Sequence, residues 1–340
     1  MRWLPQRPAV HGGESPLPID LSASLNPLGP SESVLAAVRA TQLSRYPEPN
    51  AASLAAAAGR HHGIPTEAVA PVPGASFGLW LALLALLEPA KHCLGLAPCF
   101  GEYARYAAIA GAVYLEARCP GADQSWTEAD LERTLAPEPA VCVLGNPANP
   151  AGTRLEARPL RRLCERHPRT RFVIDEAFAG FAPAGTSLIE GRLPPRNCIV
   201  VRSLTKELAL PGLRVGYLVA EPGGETDLSA VLPAWPLSAP ALAAGVAACA
   251  NPGHTAAGAA TARAEVELLA EALRRQGWQP LPSCVNYLLC RAPGLADHLA
   301  RSGIAVRRCD SFGLPGFVRI AAPAGGDLNA VLAAIGEFRP

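Results

Sequence analysis

Short apolar runs alternate with amphipathic stretches along the chain from about residue 70. The apolar runs, rich in β-branched residues and cysteine, predict buried strands at residues 93–97, 112–116, 140–144, 172–174, 198–202 and 215–219. Helical patterns lie between them, at residues 77–87, 103–110, 128–135 and 159–167. This alternation predicts an α/β fold with a mainly parallel central sheet and helices on both faces. In such sheets ligands bind beyond the carboxyl ends of the strands.

The two ends of the chain differ from this central block. The first 45 residues are rich in proline and contain one short helical stretch at 31–41. After a Pro/Gly-rich stretch at 221–224 comes a long Ala-rich helical region, amphipathic over 262–275. The remainder predicts strand 285–290, helix 295–301, strands 304–308 and 317–321, and helix 328–338. We therefore expect residues 46–230 to form a large cofactor-binding domain and residues 231–340 a small α+β domain, which residues 1–45 join.

Charge and composition argue against several classes of protein. Thirty Lys and Arg residues face 29 Asp and Glu residues, and this near-neutral balance is not typical of proteins that bind nucleic acid or anionic membranes. The longest apolar run, 79–87, is too short to span a bilayer, and the first residues lack the apolar stretch of a signal peptide. Ten cysteines without a CxxC pair predict neither a disulfide framework nor a metal site. We expect a cytoplasmic protein.

The basic residues are unevenly divided between arginine and lysine. Only Lys91 and Lys206 are lysines, and the other 28 of the 30 basic residues are arginines. Arginine keeps the positive charge but stays protonated, so it cannot serve as a nucleophilic primary amine. A lysine retained against this bias is therefore a candidate for amine chemistry.

Lys206 has the neighbours that such chemistry requires. It follows the predicted strand 198–202 in the segment Ser203-Leu204-Thr205-Lys206, and Arg214 comes eight residues later. An amine that can form a Schiff base, beside hydroxyls and a guanidinium that can hold a phosphate, is the set that pyridoxal phosphate needs. The alternative, a solvated lysine after a strand, explains none of these neighbours. Lys91 has no comparable surroundings and is interpreted as a solvated turn residue.

Polar groups also follow two other predicted strands. Asp175 comes directly after the apolar run 172–174, where a carboxylate is costly to bury unless a cation pairs with it. A protonated pyridine nitrogen is such a cation. Asn149 lies in a turn with two Asn-Pro steps after strand 140–144 and either faces the same site or is simply a loop residue.

Two further segments are compatible with a phosphate and a planar ring. Gly74-Ala75-Ser76 precedes the predicted helix 77–87, and the free N–H groups at a helix start attract anions. Phe100 follows strand 93–97 and either covers a planar ring or belongs to the core.

The ordered set of Asn149, Asp175, Ser203-x-Thr205-Lys206 and Arg214 resembles the fold-type I, aspartate-aminotransferase-like family of pyridoxal phosphate enzymes, over about residues 20–335. The resemblance implies that Lys206 bonds the cofactor and moves protons, while Asp175 pairs with the pyridine nitrogen. It further implies that Asn149 holds the ring hydroxyl and Phe100 stacks on the ring. It assigns the cofactor phosphate to Gly74, Ala75, Ser76, Ser203, Thr205 and Arg214, and the substrate carboxylate to Arg319.

Two positions refine this resemblance. Tyr46, in Arg45-Tyr46-Pro47-Glu48-Pro49, resembles a segment shared by histidinol-phosphate aminotransferases and threonine-phosphate decarboxylases. In those enzymes the tyrosine reaches the cofactor phosphate of the neighbouring subunit, which implies a homodimer. Phe178 stands where many aminotransferases have a tyrosine that hydrogen-bonds the ring oxygen. Its presence implies altered cofactor electronics and argues against ordinary transamination.

Three segments resemble the threonine-phosphate decarboxylases of cobalamin biosynthesis, at residues 11–13, 20–30 and 306–312. By this resemblance, donors suited to a substrate with both phosphate and carboxylate come from His11, Ser22, Asn26 and Arg307. The leading expectation is therefore decarboxylation of L-threonine O-3-phosphate, a phosphorylated amino acid, to (R)-1-amino-2-propanol O-2-phosphate.

Other functions stay open or are disfavoured. A histidinol-phosphate aminotransferase, or a related class I/II aminotransferase, is the alternative, because it shares nearly all of these residues. A non-enzymatic scaffold of the same fold is disfavoured by the intact motif set. A nucleotide-binding dehydrogenase lacks support because no GxGxxG follows a first strand.

Overall fold

The computed structural model describes residues 9–224, 226 and 231–339. The strands of this part of the chain are β1 (Ile19–Leu21), β2 (Val69–Val72), β3 (His92–Ala97), β4 (Val113–Arg118), β5 (Val141–Gly145), β6 (Arg171–Asp175), β7 (Cys198–Ser203), β8 (Gly216–Val219), β9 (Tyr287–Arg291), β10 (Ile304–Arg308) and β11 (Phe317–Ala321). Its α-helices are α1 (Glu32–Arg39), α2 (Ala52–His62), α3 (Ala75–Leu86), α4 (Glu102–Ile109), α5 (Glu128–Leu135), α6 (Ala157–Arg166), α7 (Leu204–Glu207), α8 (Ala239–Ala250), α9 (Pro252–Arg275), α10 (Leu295–Arg301) and α11 (Leu328–Gly336).

The larger of two sheets has seven strands in the order β2-β8-β7-β6-β5-β3-β4. All neighbours pair in parallel except β8, which runs antiparallel to both β2 and β7. Strands β6 and β7 are apolar and almost wholly buried, since helices cover both faces of the sheet. The predicted α/β fold with a mainly parallel sheet is confirmed. Because β6 and β7 are parallel neighbours, their carboxyl ends bring Asp175 and Ser203 to the same edge.

The smaller sheet has four strands in the order β1-β10-β11-β9. Strand β1 pairs in parallel with β10, with Ile19 opposite Ile304, while β11 runs antiparallel to both β10 and β9. Helices α10 and α11 and the C-terminal half of α9 pack their apolar side chains against this sheet. The N-terminal segment therefore completes a sheet made from the last third of the chain.

Helix α8 packs with the large unit, although the sequence predicts that the small domain begins at residue 231. Leu237, Ala241 and Leu242, before and within this helix, are buried in the core of the large sheet, against helices α1 and α2. Beyond α8, the first buried residue of the small core is Ala259 in α9. The physical boundary between the two units thus lies in the first turns of α9, because the Ala-rich α8 is small enough to pack closely on the large unit.

Four elements have no counterpart in the pattern prediction, and one of them is the one-turn helix α7. Strand β1 is only three residues long, and α2 is so rich in alanine that its polar and apolar faces barely differ. Strand β2 contains Pro71, which has no backbone N–H, and lies at the edge of the sheet where that donor is not needed. Among the helices of the described residues, none is long and apolar enough to cross a bilayer.

Candidate active site

A cavity of about 530 Å³ lies at the carboxyl edge of the large sheet, and residues of the small sheet close its other side. Its wall contains fourteen residues that the sequence singled out: His11, Ser22, Ala75, Ser76, Phe100, Asn149, Asp175, Phe178, Ser203, Thr205, Lys206, Arg214, Arg307 and Arg319. Residues from seven separate parts of the chain thus meet in one place.

Lys206 enters this cavity from α7, one turn after the end of β7. The backbone N–H of Asn26 donates a hydrogen bond of 3.0 Å to the Lys206 carbonyl, which ties the turn to the N-terminal segment. Burial lowers the pKa of the Lys206 amine to about 8, and the nearby positive charges of Arg319 and Arg214 add to this effect, while Asp175 opposes it. A buried amine with a lowered pKa is available as a nucleophile near neutral pH.

Asp175 ends β6 and is buried on the wall of the same cavity. The Tyr103 hydroxyl donates a hydrogen bond of 2.7 Å to its Oδ2, and the Ala177 N–H donates one of 3.0 Å to its Oδ1. Burial raises the pKa of this carboxyl, and both hydrogen bonds and the charge of Lys206 oppose the rise. Among the described residues no cation forms an ion pair with it within 4 Å. A protonated pyridine nitrogen would supply that missing cation.

A cradle for a dianion lies at the start of α3. Gly74 precedes this helix with φ at +86°, and a Cβ there would come within 2.7 Å of Arg214 Nη2. The hydroxyls of Ser203 and Thr205 lie 2.7 Å apart beside them. Arg214 is itself in the left-handed region, at φ +54°. Its Nη1 donates a hydrogen bond of 3.0 Å to the Pro211 carbonyl, and its side chain lines the cavity with further N–H donors. This donor set fits a phosphate group.

Arg319, on β11, joins three parts of the site. Its Nη1 donates to Asn149 Oδ1 at 2.6 Å, its Nη2 donates to the Ser22 carbonyl at 2.7 Å, and its guanidinium lies 5.0 Å from the centre of the Tyr287 ring. Its Nε is buried and has no hydrogen-bond partner within the described chain. Burial lowers the pKa of this guanidinium, the direction expected when a charge is removed from water. Arg319 thus uses two of its five N–H donors on Asn149 and Ser22, and it lines the cavity, so donors remain for an anionic group.

The aromatic and N-terminal residues line the remaining wall. Phe100 packs edge-to-face on Tyr103, and Phe178 does so on Tyr287, with ring centres 5.7 and 5.0 Å apart. Arg307 lines the cavity, but its Nη2 already donates to the Val10 carbonyl at 2.7 Å and to Ser311 Oγ at 2.6 Å.

Two predicted site residues are placed elsewhere. Asn26 is 1% exposed and does not line the cavity. Its amide donates to the Glu207 carbonyl at 3.0 Å and accepts from the Leu28 N–H, so it holds the turn after Lys206 instead of facing a substrate. Tyr46 is 83% exposed and lies against Trp235, outside this cavity. The prediction for Tyr46 concerns a neighbouring subunit and stays a prediction.

A buried ion network beneath the site was missed from the sequence. Arg202, on β7, donates to Glu207 Oε1 at 3.0 Å and lies 3.4 Å from Glu176 Oε2. These two carboxylates directly follow Lys206 and Asp175 in the chain. Burial raises the pKa of both glutamates, and the charge of Arg202 opposes the rise. The Arg202 guanidinium thus links the segment that positions Lys206 to the one that positions Asp175. In the sequence, the network is indicated only by three charged residues beside predicted strand ends.

Comparison with known proteins agrees with this arrangement. The family model for aminotransferase class I and II matches residues 18–338. Histidinol-phosphate aminotransferase 2 of Ralstonia nicotianae is 31% identical over 316 residues, covering 89% of this chain and 84% of that protein. The histidinol-phosphate aminotransferase of Paramagnetospirillum magneticum is 31% identical over 353 aligned positions, covering 98% and 96%.

Solved structures show the same fold. The histidinol-phosphate aminotransferase from Sinorhizobium meliloti in complex with pyridoxal-5'-phosphate superposes with a TM-score of 0.84 at 23% identity, over 93% of this chain and 89% of that one. An aminotransferase from Mycobacterium tuberculosis superposes with a TM-score of 0.76 at 28% identity, over 93% and 90%. With a buried lysine, a buried acid and a phosphate cradle in one cavity, the chain belongs to the class I and II aminotransferase family of fold-type I enzymes, and its cofactor is pyridoxal 5'-phosphate.

Proposed function

We propose that this protein is an aminotransferase whose amino donor is a small phosphorylated amine, histidinol phosphate. The observation that supports this proposal is the distribution of cations around Lys206. Arg214 belongs to the phosphate cradle, whereas Arg307 and Arg319 reach the same cavity from the small sheet. One cation is thus assigned to the cofactor phosphate and two face the space for a substrate. Two relatives that align over more than four-fifths of their own length are named histidinol-phosphate aminotransferases.

The bound cofactor supplies an electron sink for the carbon that bears the substrate's amino group. Asp175 would hold a proton on the ring nitrogen, because a buried carboxylate favours a cation at that place. The phosphate cradle would fix the cofactor against rotation. Phe100, half-buried on the cavity wall, would cover one face of the ring and keep water from it.

The Lys206 amine has two tasks in such a reaction. As a nucleophile it bonds the cofactor between turnovers, and its lowered pKa keeps a fraction of it neutral near pH 7. Once a substrate amine has displaced it, Lys206 would be the base that moves the proton of the substrate carbon. Arg319, which lines the cavity, would orient an anionic group of the substrate through the N–H donors that it does not use within the chain.

A second candidate, decarboxylation of L-threonine O-3-phosphate, is favoured by Phe178. This side chain is apolar where a tyrosine would donate a hydrogen bond to the ring oxygen, and it lines the cavity. The same donors would serve either reaction, because the bound cofactor would stabilise the charge left by loss of a proton or of carbon dioxide alike. With L-threonine O-3-phosphate, Arg319 would hold the carboxylate; histidinol phosphate has no carboxylate, so there the guanidinium would hold the phosphate.

One pair of incubations separates the candidates. The purified, cofactor-loaded protein is given histidinol phosphate with 2-oxoglutarate, or L-threonine O-3-phosphate without an oxoacid. Formation of glutamate in the first supports the aminotransferase. Release of carbon dioxide in the second, with no glutamate in the first, overturns it in favour of the decarboxylase. If Phe178 decides between them, Phe178→Tyr shifts the products toward glutamate.

We also propose that the protein is a homodimer. The exposed Tyr46, whose ring lies 5.1 Å from that of Trp235, supports this proposal because it is an aromatic residue without a role in its own chain's cavity. Sedimentation equilibrium measures the mass. In mixtures of Tyr46→Phe and Lys206→Ala chains, mixed dimers with one native site regain activity if Tyr46 serves the neighbouring subunit.

A further inference from the structure

Residues 9–13 cross the mouth of the cavity between the two structural units, and we refer to them as the strap. Ala9, Val10, His11 and Gly12 all line the cavity. The strap belongs to no helix or strand, so its position depends on side chains that reach it from the rest of the molecule.

Glu102, the first residue of α4, holds the strap on the side of the large unit. Its side chain is 4% exposed, and its Oε1 accepts hydrogen bonds from the Ala9 N–H at 2.8 Å and from His11 Nε2 at 3.2 Å. Arg105, one turn along α4, donates to the other oxygen at 2.8 Å. Burial by itself raises the pKa of Glu102, but these hydrogen bonds outweigh it and lower the pKa. The carboxylate is therefore ionised while it holds the strap.

The small unit holds the same strap from the opposite side. Arg307 donates to the Val10 carbonyl at 2.7 Å, and Ser22 Oγ accepts from the Gly13 N–H at 2.8 Å. Gly12 lies against the backbone of Ser22 so closely that a Cβ would come within 2.2 Å of the Ser22 carbonyl oxygen. A side chain at position 12 cannot fit without moving the strap.

We propose that Glu102 is a positioning residue for substrate recognition: it fastens the strap to α4 and thereby fixes the His11 imidazole at the cavity mouth. Glu102 does not itself line the cavity, so it acts through the strap. The Glu102 carboxylate accepts a hydrogen bond from His11 Nε2, and this bond fixes the orientation of the imidazole ring. The centre of that ring lies 5.4 Å from the centre of the Phe100 ring. The proposal rests on the proposed function only in taking this cavity as the place where the substrate binds.

The test compares Glu102→Gln with Glu128→Gln, a change at the first residue of another helix, α5, far from the strap. Hydrogen exchange is measured by mass spectrometry on peptides that contain residues 9–13, in the cofactor-loaded protein. We expect about tenfold faster exchange in Glu102→Gln, because charge-assisted hydrogen bonds are lost, and no change in Glu128→Gln. The dissociation constants of histidinol phosphate and of L-threonine O-3-phosphate are measured from the cofactor absorbance.

For whichever compound the native protein binds, we expect Glu102→Gln to weaken binding and raise KM about tenfold while kcat stays within about threefold. In a His11→Ala background, the same change should have little further effect on KM, because both act through one residue. Gly12→Ala displaces the strap where it contacts Ser22 and leaves Glu102 intact. We expect it, like Glu102→Gln, to weaken substrate binding.

Unchanged exchange of the strap in Glu102→Gln overturns the proposal, and so does faster exchange with unchanged substrate affinity. An equal loss of affinity in the native and His11→Ala backgrounds overturns the route through His11. If the native protein binds a compound but converts neither, the proposed reaction fails while the binding and exchange results still decide the role of Glu102. If it binds neither compound, both proposals fall.

Discussion

The Tyr103 hydroxyl donates a hydrogen bond of 2.7 Å to Oδ2 of Asp175. Both groups are buried, and burial, together with the charge of Asp175, raises the pKa of Tyr103 well above its ordinary value. The phenol therefore stays protonated and can only donate to the carboxylate. Tyr103 is on α4 and Asp175 ends β6, so this bond fixes the orientation of the carboxylate from outside its own strand.

Tyr103→Phe should weaken the site without unfolding the protein. The substitution removes one hydrogen bond to a buried carboxylate, which is worth about 1.5–3 kcal/mol, or about 10- to 100-fold in kcat/KM or cofactor affinity. Spectral titration with the cofactor measures the affinity, and urea unfolding shows whether the fold is intact. An unchanged kcat/KM in a normally folded variant would mean that Asp175 does not need this donor.

Replacing each lysine by arginine separates charge from amine chemistry. Lys206→Arg keeps the positive charge but should abolish covalent attachment of the cofactor, because a guanidinium is not a nucleophile at neutral pH. Lys91→Arg is the matched control and should behave as the native protein. Reduction with borohydride followed by mass spectrometry measures the attached cofactor. Attachment that persists in Lys206→Arg would assign the role to another group.

Cofactor uptake by the cofactor-free protein should depend on pH with a midpoint near 8. The pKa of Lys206 is lowered to about 8, so the neutral, nucleophilic form increases as pH rises through this value and is nearly complete a unit or two above it. Arg319→Met removes a positive charge that repels the Lys206 ammonium, so the pKa of Lys206 rises and the midpoint moves to higher pH. Arg307→Met, on the same cavity wall, is the control and should leave the midpoint in place. Stopped-flow absorbance measures the rate.

Gly74→Ala should lower cofactor affinity by about tenfold or more, because the new methyl group displaces Arg214 from the phosphate cradle. Gly185→Ala is a matched control: its φ is +78°, close to the +86° of Gly74, but no atom lies within 4 Å of its added Cβ. Both positions have a positive φ, but only at position 74 does the added methyl group collide with another side chain. Equal cofactor affinities in the two variants would contradict the role given to Arg214.

Arg202→Met should destabilise the protein by about 3–5 kcal/mol, because it leaves Glu176 and Glu207 buried without their shared cation. Arg39→Met is the contrasting case, since the Arg39–Glu32 pair is exposed and its loss should cost within about 1 kcal/mol. Urea unfolding of both variants measures the difference. Similar small losses in both would show that the buried network is not needed for stability.

The residues recognised from the sequence are those that follow strands visible as apolar runs. Asp175 and Lys206 could be placed at one sheet edge because parallel neighbours end together. The bond between Arg319 and Asn149 joins residues 170 positions apart, and no local pattern indicates such a pairing.

Asn26 is a residue whose role was predicted from the sequence but differs in the structure. Its segment resembles a substrate-binding one, yet its amide is turned onto the backbone of Glu207 by packing that depends on α7 and α9. Glu102 and Tyr103 were hidden because an acid and an aromatic residue at the start of a helix are ordinary there. Their roles depend on what lies opposite them.

The parallel pairing of β1 with β10 has a consequence for how this chain is made. Residues 19–21 are synthesised long before their partners at 304–306. The Ser22 carbonyl and Arg319 likewise meet only after β11 has been synthesised. Closing so long a loop is slow. The large sheet can therefore form before the small one, whereas the complete catalytic cavity is assembled only once β10 and β11 have been synthesised.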